Sequence, residues 1–73
     1  MGKLGNISGA EAVRAFQKAG WARLGQVGSH VVLVKSGVRV NLSVPLHKEL
    51  SVGTLRALIR NSGLSVDDFL KLL

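Results

Sequence analysis

The chain has no cysteine, no tyrosine, one proline, one tryptophan and only four acidic residues among its 73. Without cysteine there is no disulfide and no thiolate metal site. Four scattered acids and two histidines leave no paired carboxylates for glycosidase-type chemistry, no evident magnesium cluster and too little for a structural zinc. No metal and no cofactor are expected. The longest plainly apolar run, Val31 to Val34, falls far short of the roughly 20 residues of a membrane helix. Met1-Gly2-Lys3 leads into Gly5, Asn6 and Ser8, with no apolar stretch of a secretory leader, so a cytoplasmic location is expected. Length excludes two-domain clefts and long tunnels. One domain over residues 1–73 is expected, and a domain this small hides only about 60% of its unfolded surface.

What the chain does have is apolar residues and positive charge. The hydrophobic fraction of 47% supports a core and excludes disorder. The net charge of +6 is unevenly placed. Lys3, Arg14, Lys18, Arg23, Lys35, Arg39 and Lys48 face Glu11 alone in the first two-thirds, whereas Arg56, Arg60 and Lys71 are cancelled by Glu49, Asp67 and Asp68. A field of one sign on a small domain points to a polyanion, with nucleic acid the first choice.

Periodicity gives the order of elements. Ser8 with Glu11 has capping-box spacing, and Ala12, Val13, Phe16 and Ala19 recur at helical spacing, so a helix is expected from Gly9 to Ala19 with Gly20 as its stop. Trp21 to Leu24 can form a short strand, and Gly25 to Ser29 reads as a loop. His30 to Lys35 is apolar and β-branched, and Val38 to Val44 alternates strictly. Ser36-Gly37 between them predicts a two-residue hairpin that ends at Pro45. Ser51 opens a second helix with the stripe Leu55, Leu58 and Ile59, and Asn61-Ser62-Gly63 closes it. Ser65 and Asp68 start a last short helix. The expected fold class is α+β, a three-stranded antiparallel sheet with helices on one face plus a short C-terminal helix.

A two-residue turn at Ser36-Gly37 pairs Lys35 with Val38, Val34 with Arg39, Leu33 with Val40, Val32 with Asn41, Val31 with Leu42 and His30 with Ser43. Opposed residues share a face. Val31, Leu33, Val38, Val40, Leu42 and Val44 then line the core face, with Lys35 at its rim. His30, Val32, Val34, Arg39, Asn41 and Ser43 occupy the open face, because burying that set would strand several polar groups. Imidazole, hydroxyl, amide and guanidinium together on a basic surface suit a phosphate. Val32 and Val34 beside them suit a covered protein interface. His47 and Lys48 precede the second helix, whose free N–H groups favour anions. Gly25-x-x-Gly28 lacks the Lys-Ser/Thr of a phosphate loop. On these residues alone, RNA binding leads and a protein-interaction domain follows.

Gly28-Ser29-His30 opening a strand, Val44-Pro45-Leu46-His47, Gly53-Thr54-Leu55-Arg56-Ala57-Leu58-Ile59 and Gly63-Leu64-Ser65-Val66-Asp67-Asp68-Phe69 together resemble the HicA toxin family. The resemblance runs from about Ile7 to Leu73. It implies a fold similar to a double-stranded RNA-binding domain, α-β-β-β-α. It also implies a metal-independent endoribonuclease (an mRNA interferase of a bacterial type II toxin–antitoxin system) and a HicB-type antitoxin partner. The catalytic histidine of the family's Gly-Ser-His motif maps onto His30. Lys35, Arg39, Asn41, Ser43, His47 and Lys48 are the expected RNA contacts, and Val32 and Val34 the expected antitoxin contacts. Where many members carry a second histidine directly after the first, this chain has Val31. The other reading left open is a non-catalytic module that binds double-stranded RNA by shape.

Overall fold

Each helix begins at a serine whose hydroxyl accepts the backbone N–H three residues on. Ser8 takes Glu11 N at 3.1 Å, Ser51 takes Thr54 N at 3.2 Å and Ser65 takes Asp68 N at 3.1 Å. At the first helix the cap is reciprocal, because the Ser8 N–H donates to Glu11 Oε1 at 2.9 Å. The computed structural model describes residues 4–73, so Lys3, counted above in the basic half, lies outside the described residues. The elements run α1 (Gly9–Lys18), β1 (Ala22–Val27), β2 (His30–Val34), β3 (Leu42–Pro45), α2 (Val52–Ser62) and α3 (Val66–Lys71). This is the expected α+β layout. One antiparallel sheet has the order β1-β2-β3, with β2 in the centre.

The core forms on one face of that sheet. Val31, Leu33, Leu42 and Val44 are buried there with Phe16 of α1, Leu55 and Ile59 of α2, and Phe69 of α3. Phe16 and Phe69 meet with ring centroids 5.1 Å apart, so the last helix closes the core against the first. Trp21 is buried ahead of β1, and its Nε1 finds no acceptor among the described residues. Both α1 and α2 pack on β3. Five of the six β1 residues are exposed, Leu24 and Val27 most of all at 66% and 72%.

Two expectations about the sheet are corrected. First, Gly25, Gln26 and Val27 are strand rather than loop: they pair with Val32, Val31 and His30. The tight hairpin is at Gly28-Ser29. Gly28 has φ +58° at the first turn position, where a type II′ turn needs it. Second, Ser36-Gly37 does make a turn, with Val38 N donating to Lys35 O at 3.1 Å, but the two strands do not pair outward from it. Only Gly37 has positive φ there, and the hairpin turns I′ and II′ need it at the first position. The strands separate, and residues 35–41 form a longer connection. The β2–β3 register is His30 with Pro45, Val31 with Val44, Val32 with Ser43 and Leu33 with Leu42, two residues away from expectation. An even shift keeps every side chain on its face. Val40 is the exception to the predicted core: it lies outside the strand and is 47% exposed.

Candidate functional site

The Gly28-Ser29 turn delivers His30 as the first residue of the central strand. Val31 and Leu33 next to it point into the core at 1% and 0% exposure, so alternation sends His30 to the outer face, where it is exposed. Val27 stands opposite on one side and Pro45 on the other. Ser43, opposite Val32, is the diagonal neighbour of His30 and is also exposed. Val32 and Val34 continue the same face and are half-buried.

The segment after β3 is stitched to this end of the sheet. Leu46 N donates to Ser29 O at 2.7 Å, beside His30. Gly9 N donates to His47 O at 2.9 Å, and Leu50 N donates to Ile7 O at 2.8 Å. The backbone around His47 and Lys48 is therefore held between the β1–β2 turn and the start of α1, with both side chains exposed. Gly9 permits that contact, since any Cβ there would collide with the Pro45 carbonyl.

The remaining expected contacts lie elsewhere. Lys35 follows the far end of β2, about 16 Å from His30 along the chain direction. Its Nζ donates to the Ala19 carbonyl at 2.9 Å and so closes the C-terminus of α1. Arg39 and Asn41 are exposed on the connection rather than on β3. The open-face cluster thus contains His30 and Ser43 without Asn41 and Arg39.

A polar group that the sequence reading missed lies on β1. Arg23 Nη2 donates to Gln26 Oε1 at 2.6 Å, and Gln26 Nε2 donates to the Gly28 carbonyl at 2.9 Å. Reading Gly25 to Ser29 as loop hid it. The signal was there: Gly-Ser between Val27 and His30 is itself a two-residue hairpin pattern. Glu11, at the foot of α1, has its carboxyl held below the ordinary carboxylate value. The causes are the Ser8 backbone N–H, then the Ser8 hydroxyl, with Arg14 adding to them. No three His, Asp or Glu side chains converge among the described residues, and no helix among them is long and apolar enough to cross a membrane.

The family model described as HicA toxin of bacterial toxin-antitoxin matches residues 9–64 of the 73. The chain belongs to the HicA toxin family. A search of curated proteins gave no match. In this HicA toxin the matched span runs from the first residue of α1 to just past α2, and so contains the whole sheet, the Gly28-Ser29-His30 turn and the Pro45–Leu50 segment. Helix α3 lies beyond it and still supplies Phe69 to the core. Membership places the chain on the toxin side of a toxin–antitoxin pair.

Proposed function

We propose that this HicA toxin is a metal-independent endoribonuclease, an mRNA interferase that acts in the cytoplasm as one domain over residues 1–73. A HicB-type antitoxin holds it inactive. The observation that carries the reading is His30, exposed at the start of the central strand on the face away from the helices, within a chain of net charge +6.

RNA supplies its own nucleophile. The 2′-hydroxyl loses its proton, its oxygen bonds to the adjacent phosphorus, and the bond from phosphorus to the 5′-oxygen breaks as that oxygen gains a proton. The products are a 2′,3′-cyclic phosphate and a 5′-hydroxyl. His30 is the catalytic residue, acting as general base or general acid in one of the two proton transfers. Ser43 diagonal to it, and His47 and Lys48 on the stitched segment, bind the phosphate and stabilise its charge. Arg39 and Asn41 touch RNA farther from the scissile bond, and Lys35 does so only at the rim, since its ammonium already serves α1. The scarcity of acids leaves few carboxylates to hold a hard cation, which supports proton transfer by an imidazole instead. Val32 and Val34 give the antitoxin an apolar seat beside the histidine, so that one bound protein masks it.

The test is growth arrest on induction in a host without the antitoxin. Wild type is expected to arrest growth and His30→Ala to let cells grow, with the variant's circular dichroism and melting unchanged because His30 is exposed. Arrest by His30→Ala removes the histidine from its role. RNA binding without cleavage by the wild type would favour the shape-reading, non-catalytic module instead.

A further inference from the structure

A groove runs along the helix side of the sheet between α1 and β1, on the other face from His30. Ala10, Val13, Val31 and Leu46 are its apolar lining, and Arg14, Gln17 and Arg23 its polar lining. The helical members, Ala10, Val13, Arg14 and Gln17, are spaced at i, i+3, i+4 and i+7, so they form one stripe of α1. The stripe faces β1, which neither long helix covers as it covers β3. We infer that this groove seats one unpaired nucleotide of the RNA substrate, its base on the apolar lining and its flanking phosphates on Arg14 and Arg23. The inference rests on the ribonuclease reading for the identity of the polyanion.

Three features favour a nucleotide. Arg23 is held in place before any ligand arrives: its Nη2 bonds Gln26 Oε1 at 2.6 Å, and Gln26 is anchored in turn to the Gly28 carbonyl at 2.9 Å. The clamp is a neutral amide, so the guanidinium keeps its full charge while its rotamer freedom is already reduced. Glu11, the only acid in the first two-thirds of the chain, does not line the groove; its carboxylate is engaged first by Ser8, with Arg14 a lesser neighbour. Gln17 offers both a donor and an acceptor beside an apolar lining, the combination that reads an unstacked base edge. The groove also leads to the reaction. At its Leu46 end the backbone is bonded to Ser29, the residue before His30. A strand seated in the groove continues over the Gly28-Ser29 turn and brings its next phosphate to the histidine. Single-stranded RNA bends in this way more readily than a duplex does.

The test uses the full chain carrying His30→Ala, which binds without cutting. It is titrated with a fluorescent single-stranded RNA of about ten nucleotides and with the same RNA as a duplex. The single strand is expected to bind more tightly than the duplex. Arg23→Ala in that background should weaken it roughly tenfold and lower the slope of log affinity against log salt by about one, with Arg23→Lys restoring the slope but not the affinity. Gln17→Ala should narrow the differences among oligo-A, oligo-C, oligo-G and oligo-U. Arg56→Ala, on α2 and outside the groove, should stay within about twofold of the parent. Unchanged RNA binding in both Arg14→Ala and Arg23→Ala overturns the inference. So does their loss of antitoxin binding alone, which would assign the groove to a protein. Failure of the parent reading looks different. If the wild-type chain binds RNA through Arg23 but never cuts it, the groove stands and the ribonuclease falls. If Arg14→Ala and Arg23→Ala both cut at the wild-type rate, the ribonuclease stands and the groove falls.

Discussion

A Cβ at Gly9 would collide with the Pro45 carbonyl oxygen and stand 2.9 Å from the Leu46 Cα, so α1 can start where it does only without a side chain there. Gly9→Ala is expected to lose about 1–3 kcal/mol in urea unfolding, because backbone atoms have to yield. It should also lower RNA cleavage by shifting the segment that carries His47 and Lys48; unchanged stability would mean that this contact is not made. Phe69 is the second residue with a large expected effect. It is fully buried against Phe16, and Phe69→Ala should cost about 3–5 kcal/mol. A 73-residue domain holds roughly 4–11 kcal/mol in all, so the variant should lose a large share of its stability and melt well below the wild type. A variant with a near wild-type melting curve would show that α3 is dispensable. At this scale much was legible. His30, Val31 and Leu33 fell on their faces because alternation survives an even shift in register. The close approach at Gly9 was not legible, because it depends on a carbonyl 36 residues away.

Among the elements, helices were read almost to the residue and the sheet was not. Ser8, Ser51 and Ser65 announce helix starts through local spacing. Strand pairing is non-local, and both Gly28-Ser29 and Ser36-Gly37 look like turns. The sign of φ at the first turn position separates them: Gly28 takes a positive φ there without strain, whereas Ser36 does not take one. Gly28→Val should therefore cost about 1–2 kcal/mol and cut activity further by loosening the presentation of His30, whereas Gly37→Asn should leave activity near wild type. Equal losses of activity would place the functional turn elsewhere. The capping box of α1 gives a pH dependence. Glu11 is held below the ordinary carboxylate value in the folded state, so its contribution is complete above the unfolded value and is lost as pH falls through the lowered one. The stability gap between wild type and Glu11→Gln should be widest near neutrality and close on acidification through the carboxylate range. A gap that widens in acid would reverse the assigned sign.

On the scale of the whole molecule, charge and shape divide the work. Positive charge sits on α1, β1 and the connections up to Lys48, whereas from Glu49 onward Arg56, Arg60 and Lys71 are offset by Glu49, Asp67 and Asp68. RNA affinity should fall steeply with added salt, since each neutralised phosphate releases condensed counterions. Under the proposed function the two sheet faces have separate tasks: the inner one closes the core and carries the groove at its β1 edge, and the outer one presents His30 to RNA or to the antitoxin. The most direct measurement is cleavage of a defined RNA by the purified chain in excess chelator, with analysis of the new ends. Wild type should yield 2′,3′-cyclic phosphate and 5′-hydroxyl termini, and His30→Ala should be slower by about 10²–10⁴-fold. Cleavage by His30→Ala at the wild-type rate, or 5′-phosphate ends that appear only with magnesium, would contradict it.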